Sequence, residues 1–273
     1  MAVANVQDAI MLLGDSITEF GFTSGGFAAR LAEAYVRKMD VINRGFGGYN
    51  TDLIIPVFEQ CFAPQQDEPN APKVRILVIW FGANDASLPH TPQHVPLERY
   101  KANLTALVQA VRSPASPRYS PETCVILMTP PPVQHERWAH GYAAMKGVAV
   151  QAPDWDFDMA KMYAEGVVEV GKSEGVPVVD VWTKMWEAAG KDMDKVGEFL
   201  FDGLHLNAKG YELVYHALIE TIAEKKPEYH YDNLQTVFMN FTDLYADFAN
   251  HRKLSKKRSA YEKGSLPDPK AGL

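Results

Sequence analysis

The sequence predicts a three-layer, doubly wound α/β domain built on a five-stranded parallel sheet, and three observations lead there. Five short runs rich in Val, Ile or Leu recur with little polar alternation, at 9–13, 40–43, 74–81, 123–128 and 176–181. A stretch of helical character separates each from the next. Polar clusters of the kinds that do chemistry follow directly after several of them. Apolar runs without alternation mark strands covered on both faces, and strand–helix alternation implies right-handed crossovers with helices on both sides of the sheet.

Taken in order, the first run, Ala9-Ile10-Met11-Leu12-Leu13, leads into Gly14-Asp15-Ser16 and a predicted helix over 26–38. The second, Asp40-Val41-Ile42-Asn43, is followed by a glycine-rich turn and a helix over 51–62. A polar, proline-rich loop at 64–72 precedes the third strand, and a helix over 97–112 follows it. The fourth strand ends in Pro130-Pro131-Pro132, which cannot be helix interior because proline has no N–H to give. A helix over 158–174 leads to the fifth strand, and helices over 184–189 and 208–225 close the domain. The chain therefore divides into a domain over 1–226, a helical extension over 227–248 and a basic, mobile tail over 249–273. A helix over 234–248 would carry an apolar stripe that includes Leu234, Val237, Phe241 and Phe248, to be covered by its own domain or by a second subunit in a homodimer.

Composition narrows the function. With 273 residues, 47% of them hydrophobic and 22% charged, the profile is that of a soluble globular protein. Net charge is −7, although Arg252, Lys253, Lys256, Lys257, Arg258 and Lys263 cluster near the end, so the body is more acidic still. An acidic body argues against nucleic acid or an anionic membrane as the main partner. No run approaches the length of a membrane span, and the first residues lack the pattern of a signal peptide, which leaves the cytosol as the default location. Two cysteines, Cys61 and Cys124, make no disulfide framework.

In a doubly wound sheet, ligands bind beyond the carboxyl ends of the strands, where the strand order reverses. Four clusters fall at that edge. Ser16, at the turn after the first strand, would expose its hydroxyl, though Asp15 or Ser16 could equally be a helix cap. The turn Arg44-Gly45-Phe46-Gly47-Gly48-Tyr49 lets backbone N–H groups face a ligand, or is simply a flexible loop. Asn84, in Gly82-Ala83-Asn84-Asp85, can donate to a developing oxyanion or serve as a turn residue. In Asp202-Gly203-Leu204-His205, a carboxylate three residues before a histidine can orient the ring and stabilise its cation. His90, His94, His135 and His140 lack ligand spacing, so no metal and no cofactor is implied.

Gly14-Asp15-Ser16, Gly48, Gly82-Ala83-Asn84-Asp85 and Asp202-Gly203-Leu204-His205 resemble, in order and spacing, the four signature blocks of SGNH (GDSL-like) hydrolases. Gly14-Asp15-Ser16-Ile17-Thr18-Glu19-Phe20-Gly21 and Pro130-Pro131-Pro132 are similar to the isoamyl acetate-hydrolysing esterase-like subgroup. Ile17 stands where the GDSL name has Leu. The resemblance implies sheet order 2-1-3-4-5, Ser16 as nucleophile, His205 as base and Asp202 as its partner. It places the oxyanion hole on the N–H groups of Ser16 and Gly48 and the Asn84 amide. The implied reaction is hydrolysis of a small, short-chain, acetate-type carboxylic ester through an acyl-enzyme. The same machinery serves carbohydrate acetylesterases, lysophospholipases and acyltransferases, and from another class a non-catalytic scaffold on an esterase fold stands as the rival. Trp80, Phe81, Trp138 and Tyr142 are candidates for lining the acyl or alcohol pocket, or for packing.

Overall fold

A computed structural model describes residues 7–147, 149 and 154–261. Five parallel strands form one sheet: β1 (Ala9–Gly14), β2 (Asp40–Gly45), β3 (Val74–Trp80), β4 (Cys124–Met128) and β5 (Val178–Val179). Their order is β2-β1-β3-β4-β5, so the chain reverses direction across the sheet between β1 and β3. The sheet is therefore three-layered and doubly wound as the sequence predicts.

Alternate side chains of the strands point into two separate cores, which is why the runs read as continuously apolar. Ile10, Leu12, Ile76, Val78 and Trp80 face one core. There they meet α2 (Phe27–Ala34), α7 (Val181–Ala188) and α9 (Ala208–Lys225). Met11, Leu13, Leu77, Ile79 and Leu127 face the other, against α3 (Thr51–Cys61), α4 (Leu97–Arg112) and α6 (Phe157–Glu174). Each fully buried Leu or Ile contributes about 2 kcal/mol relative to exposure.

Short polar side chains set the helix starts. Asn50 accepts from the Leu53 N–H, Asp156 from those of Asp158 and Met159, and Asn207 from those of Lys209 and Gly210. Each supplies an acceptor that the first turn lacks. α6 ends at Gly175, whose left-handed backbone terminates it.

Several boundaries differ from expectation. The fifth strand shrinks to two residues, because Asp180 accepts from the Thr183 N–H and starts α7 at Val181. α2 stops at Ala34, well short of 38. A helix that the sequence does not signal, α5 (His135–Lys146), follows the triple proline, and its apolar residues make no clear stripe. The expected helix over 234–248 is not continuous. Tyr231–Asn233 forms a 3-10 turn, the chain then runs without helix and bends at Val237 and Phe238, with Leu234 and Val237 buried, and the next α-helix is α10 (Phe241–Ala246). This non-helical stretch is fixed by the Val237 N–H donating to Arg37 O and by the Arg37 guanidinium donating to Phe238 O and Met239 O. Its apolar residues thus cover their own domain at Leu234 and Val237, while Phe241, Tyr245 and Phe248 stay exposed. Residues expected in the basic tail also return to the body. Ala260 and Tyr261 are buried, and the Tyr261 hydroxyl donates to Asp8 at 3.0 Å. No helix among the described residues is long and apolar enough to cross a membrane.

Candidate active site

β1 ends at Gly14, packed so tightly that a Cβ there would lie 2.7 Å from Trp80 O and 2.1 Å from Thr18 Oγ1. Glycine alone lets the chain turn at that point. Asp15 then caps α1 (Ser16–Glu19) by accepting from the Ile17 N–H at 2.9 Å. The cap is thus Asp15, which leaves Ser16 at the first helical position with its N–H unpaired within the turn and its side chain free for other work.

That side chain meets a histidine. Ser16 Oγ lies 2.8 Å from His205 Nε2, across 189 residues of sequence. His205 Nδ1 lies 2.7 Å from Asp202 Oδ2. The other carboxylate oxygen, Oδ1, accepts from the backbone N–H groups of Leu204 and His205 at 2.9 and 2.7 Å. Burial works against the charge on Asp202, but its bond to His205, the charge on the ring and the two backbone donors outweigh it and hold its pKa below the ordinary carboxylate value. A hydroxyl, an imidazole and an ionised carboxylate in series can draw a proton from the hydroxyl and stabilise the resulting imidazolium.

Three aromatic rings surround the imidazole. Phe20 and Trp138 lie with centroids 5.4 and 5.8 Å away, and Phe201 stacks on it at 5.6 Å with planes only 17° apart. From Phe20 and Phe201 a cleft of about 380 Å³ opens past Leu206, Ala208 and Tyr211. Sequence reasoning missed Phe20 and Phe201, although each adjoins a signature block and could have been found by that adjacency. Of the pocket candidates, Trp138 stands beside the site. Trp80 and Phe81 do not line it. Both are buried in the cores, where the Trp80 indole donates to Thr129 O and Phe81 O accepts from the Tyr100 hydroxyl. They face inward because strand alternation there sends them into the two cores. Tyr142 lies on α5, and its side chain falls outside the described residues.

β2 and β3 flank β1, so their following loops border the same edge. Gly48 has φ +79°, a conformation that favours glycine, and its N–H has no acceptor among the described residues. Asn84 is buried and its Nδ2 donates to Tyr49 O at 2.8 Å. β2 and the loop after it are tied to the Ser16 turn as well, for Asn43 Nδ2 donates to Thr18 O and the Phe46 N–H to Gly14 O. Structure thus brings Ser16, Asp202 and His205 into contact and joins the segments of Gly48 and Asn84 to each other. Among the described residues no group of three or more His, Cys, Asp or Glu could hold a metal ion.

Two carboxyls lie buried beneath this edge. Burial pushes Asp15 up to about 7; the Ile17 N–H and the charge on His205 pull it back, and the charge on Asp85 adds to the rise. Burial likewise pushes Asp85 up to about 6, against the Thr51 hydroxyl and N–H that donate to it. For a carboxyl whose folded pKa exceeds its ordinary 3.8, stability is full below that ordinary value and is lost as pH rises through about 7. Asn at position 15 keeps a capping oxygen and cannot ionise. The melting temperature of Asp15→Asn is therefore expected to gain on wild type between pH 4.5 and pH 8, by about 5–10 °C given about 1.4 kcal/mol per pKa unit and about 2 °C per kcal/mol. Scanning calorimetry at the two pH values checks this, and an equal difference at both would mean that Asp15 ionises without cost.

A doubly wound sheet with a serine, histidine and aspartate in hydrogen-bonded series at its carboxyl edge defines a hydrolase of the SGNH class. The model of the GDSL-like Lipase/Acylhydrolase family matches residues 12–213, and the chain belongs to that family of carboxylic ester hydrolases. It is 38% identical over 221 residues to the isoamyl acetate-hydrolyzing esterase 1 homolog of Mus musculus, covering 79% of this chain and 82% of the mouse protein. A GDSL esterase/lipase of Arabidopsis thaliana is 36% identical over 220 residues, 79% of this chain and 86% of that protein. Among solved structures, a lipase/acylhydrolase from Enterococcus faecalis shares the fold with a TM-score of 0.56 at 24% identity, over 80% of this chain and 97% of that one.

Proposed function

We propose that this protein is a serine esterase acting on small, short-chain, acetate-type esters through Ser16, His205 and Asp202. The observation that carries the reading is the unbroken series Ser16 Oγ, His205 Nε2, His205 Nδ1, Asp202 Oδ2, with contacts of 2.8 and 2.7 Å. His205 takes the Ser16 proton as Oγ attacks the ester carbonyl. The N–H groups of Ser16 and Gly48 and the Asn84 amide hold the tetrahedral oxygen, and the imidazolium then protonates the departing alcohol. Water, deprotonated by the same ring, releases the acid from Ser16. The similarity to isoamyl acetate-hydrolyzing esterase homologs supports a small ester, and so does the aromatic surround of His205, which presents apolar surface rather than charge to the reacting group. Domain organisation follows the same reading: a catalytic body over 1–226, with the following residues an extension that packs in part on it.

A fluorophosphonate probe tests this directly, because it phosphonylates only a serine that a neighbouring base activates. Mass spectrometry of the labelled, digested protein is expected to find the adduct on Ser16. A folded protein that stays unlabelled would favour the non-catalytic scaffold instead.

A further inference from the structure

Gln93 lies in the loop between β3 and α4, outside every signature block, and it touches each element of the proposed oxyanion hole other than the Ser16 turn. Its Nε2 donates to Gly48 O at 3.0 Å and to Asn84 Oδ1 at 3.1 Å. Its own backbone carbonyl accepts from Asn50 Nδ2 at 2.9 Å. Asn50 in turn caps α3 by accepting from the Leu53 N–H. One residue thus clasps the loop after β2 to the loop after β3.

The chemistry of these groups dictates the orientation of both amides. Backbone carbonyls only accept. Gly48 O must therefore face the nitrogen of Gln93, and Tyr49 O must face the nitrogen of Asn84, which it meets at 2.8 Å. That leaves Asn84 Oδ1 to take the second proton of Gln93 Nε2. With Oδ1 occupied and one Nδ2 proton on Tyr49 O, Asn84 has a single amide proton left to give, and its direction is fixed. Gly48, for its part, is held by its carbonyl in a turn at φ +79°, which aims its N–H. Only a primary amide supplies two protons from one planar nitrogen at this reach without a charge. A leucine there supplies none, and a glutamate would set a carboxylate against two carbonyl oxygens.

We infer that Gln93 is a positioning residue for the oxyanion hole, holding Asn84 and Gly48 in the orientation in which they donate. The inference rests on the proposed reaction at Ser16. It gives Gln93 no contact with substrate; its effect passes through the two donors. Preorganised donors matter because they need no rearrangement as charge develops, and losing one outright costs on the order of 10²–10³ in turnover.

The experiment is a double-mutant cycle on kcat and KM for p-nitrophenyl acetate, with Gln93→Leu, Asn84→Ala and the pair, each normalised to the Ser16 sites that a fluorophosphonate titrates. Normalisation counts only folded sites, and Gln93→Glu, which keeps the shape, takes the place of leucine should that variant not fold. Gln93→Leu is expected to lower kcat by about 10- to 100-fold with KM within about twofold, and Gln93→Glu to lower it further. In the Asn84→Ala background the same change should cost several-fold less than in wild type, because only the share that passes through Gly48 is left and residues that act as a unit are not additive. A residue that merely steadies the loops would cost the same in both backgrounds, and that additivity would overturn the inference, as would a wild-type kcat in Gln93→Leu. Ser16→Ala, run alongside, separates the two levels. Full activity in that variant overturns the Ser16 reading and the Gln93 inference with it. An inactive Ser16→Ala beside an unaffected Gln93→Leu overturns the Gln93 inference alone.

Discussion

Ser16→Ala is expected to lower kcat toward p-nitrophenyl acetate by on the order of 10⁶, with no loss of fold. The substitution removes one oxygen from a partly exposed position at the first turn of α1. Nothing structural depends on that oxygen. The cap of α1 is Asp15, the core contact is the buried Ile17, and among the described residues the one partner of the hydroxyl is His205 Nε2 at 2.8 Å. Alanine is a good helix former, so the turn itself is kept. What disappears is the atom that becomes bonded to the acyl group, and without it the imidazole can at best activate water directly. The residual rate, set by the oxyanion donors and by binding, should remain on the order of 10³–10⁴ above the uncatalysed reaction. Steady-state assays of both proteins at equal protein concentration, fixed by absorbance, check the ratio. A variant that retained wild-type turnover would show that the ester is attacked by something other than Ser16.

The sheet was legible because its physics is local. Strands β1, β3, β4 and β5 carry apolar residues for both cores, and a run such as Val125-Ile126-Leu127 offers no polar side chain to any other arrangement. Ser16, Asp202 and His205 were legible for a different reason: they sit in turns that directly follow strands or precede a helix, where topology alone brings distant segments to one edge. What escaped depended on contacts that no spacing encodes. Trp80 and Phe81 looked like pocket residues because they end a strand at the functional edge, yet their backbone alternation sends them inward. The helix over 234–248 looked amphipathic, but the guanidinium of Arg37, about two hundred residues away, captures the carbonyls of Phe238 and Met239, which a helix would have needed. Gln93 was silent for the same reason. An amide in a polar loop carries no pattern, and its importance lies wholly in the two acceptors it finds across the gap.

Asp202→Asn is expected to lower kcat by about 10⁴ while leaving the site's geometry intact, and the reason can be followed atom by atom. Asp202 has two structural obligations. Its Oδ1 accepts from the N–H groups of Leu204 and His205, which shapes the turn, and its Oδ2 faces His205 Nδ1. An asparagine can meet the first with its one carbonyl oxygen, so the turn survives. Its nitrogen then occupies the place of Oδ2 and presents protons to His205 Nδ1. The ring must answer with a lone pair at Nδ1, which puts its single proton on Nε2, the atom facing Ser16 Oγ at 2.8 Å. A ring protonated there cannot accept the proton of the serine, and the hydroxyl stays unactivated. The lost negative charge adds to the effect, since in the native protein the bond and charge of His205 hold Asp202 ionised despite burial, and that carboxylate in turn stabilises the imidazolium. Two measurements separate this account from simple unfolding. Thermal melting of the variant should stay close to wild type, and its kcat should recover in part as pH rises and hydroxide supplies the base that the ring no longer provides. If Asp202→Asn instead matched wild type at pH 7, His205 would be drawing its tautomer from some other partner, and the role assigned to Asp202 would fall.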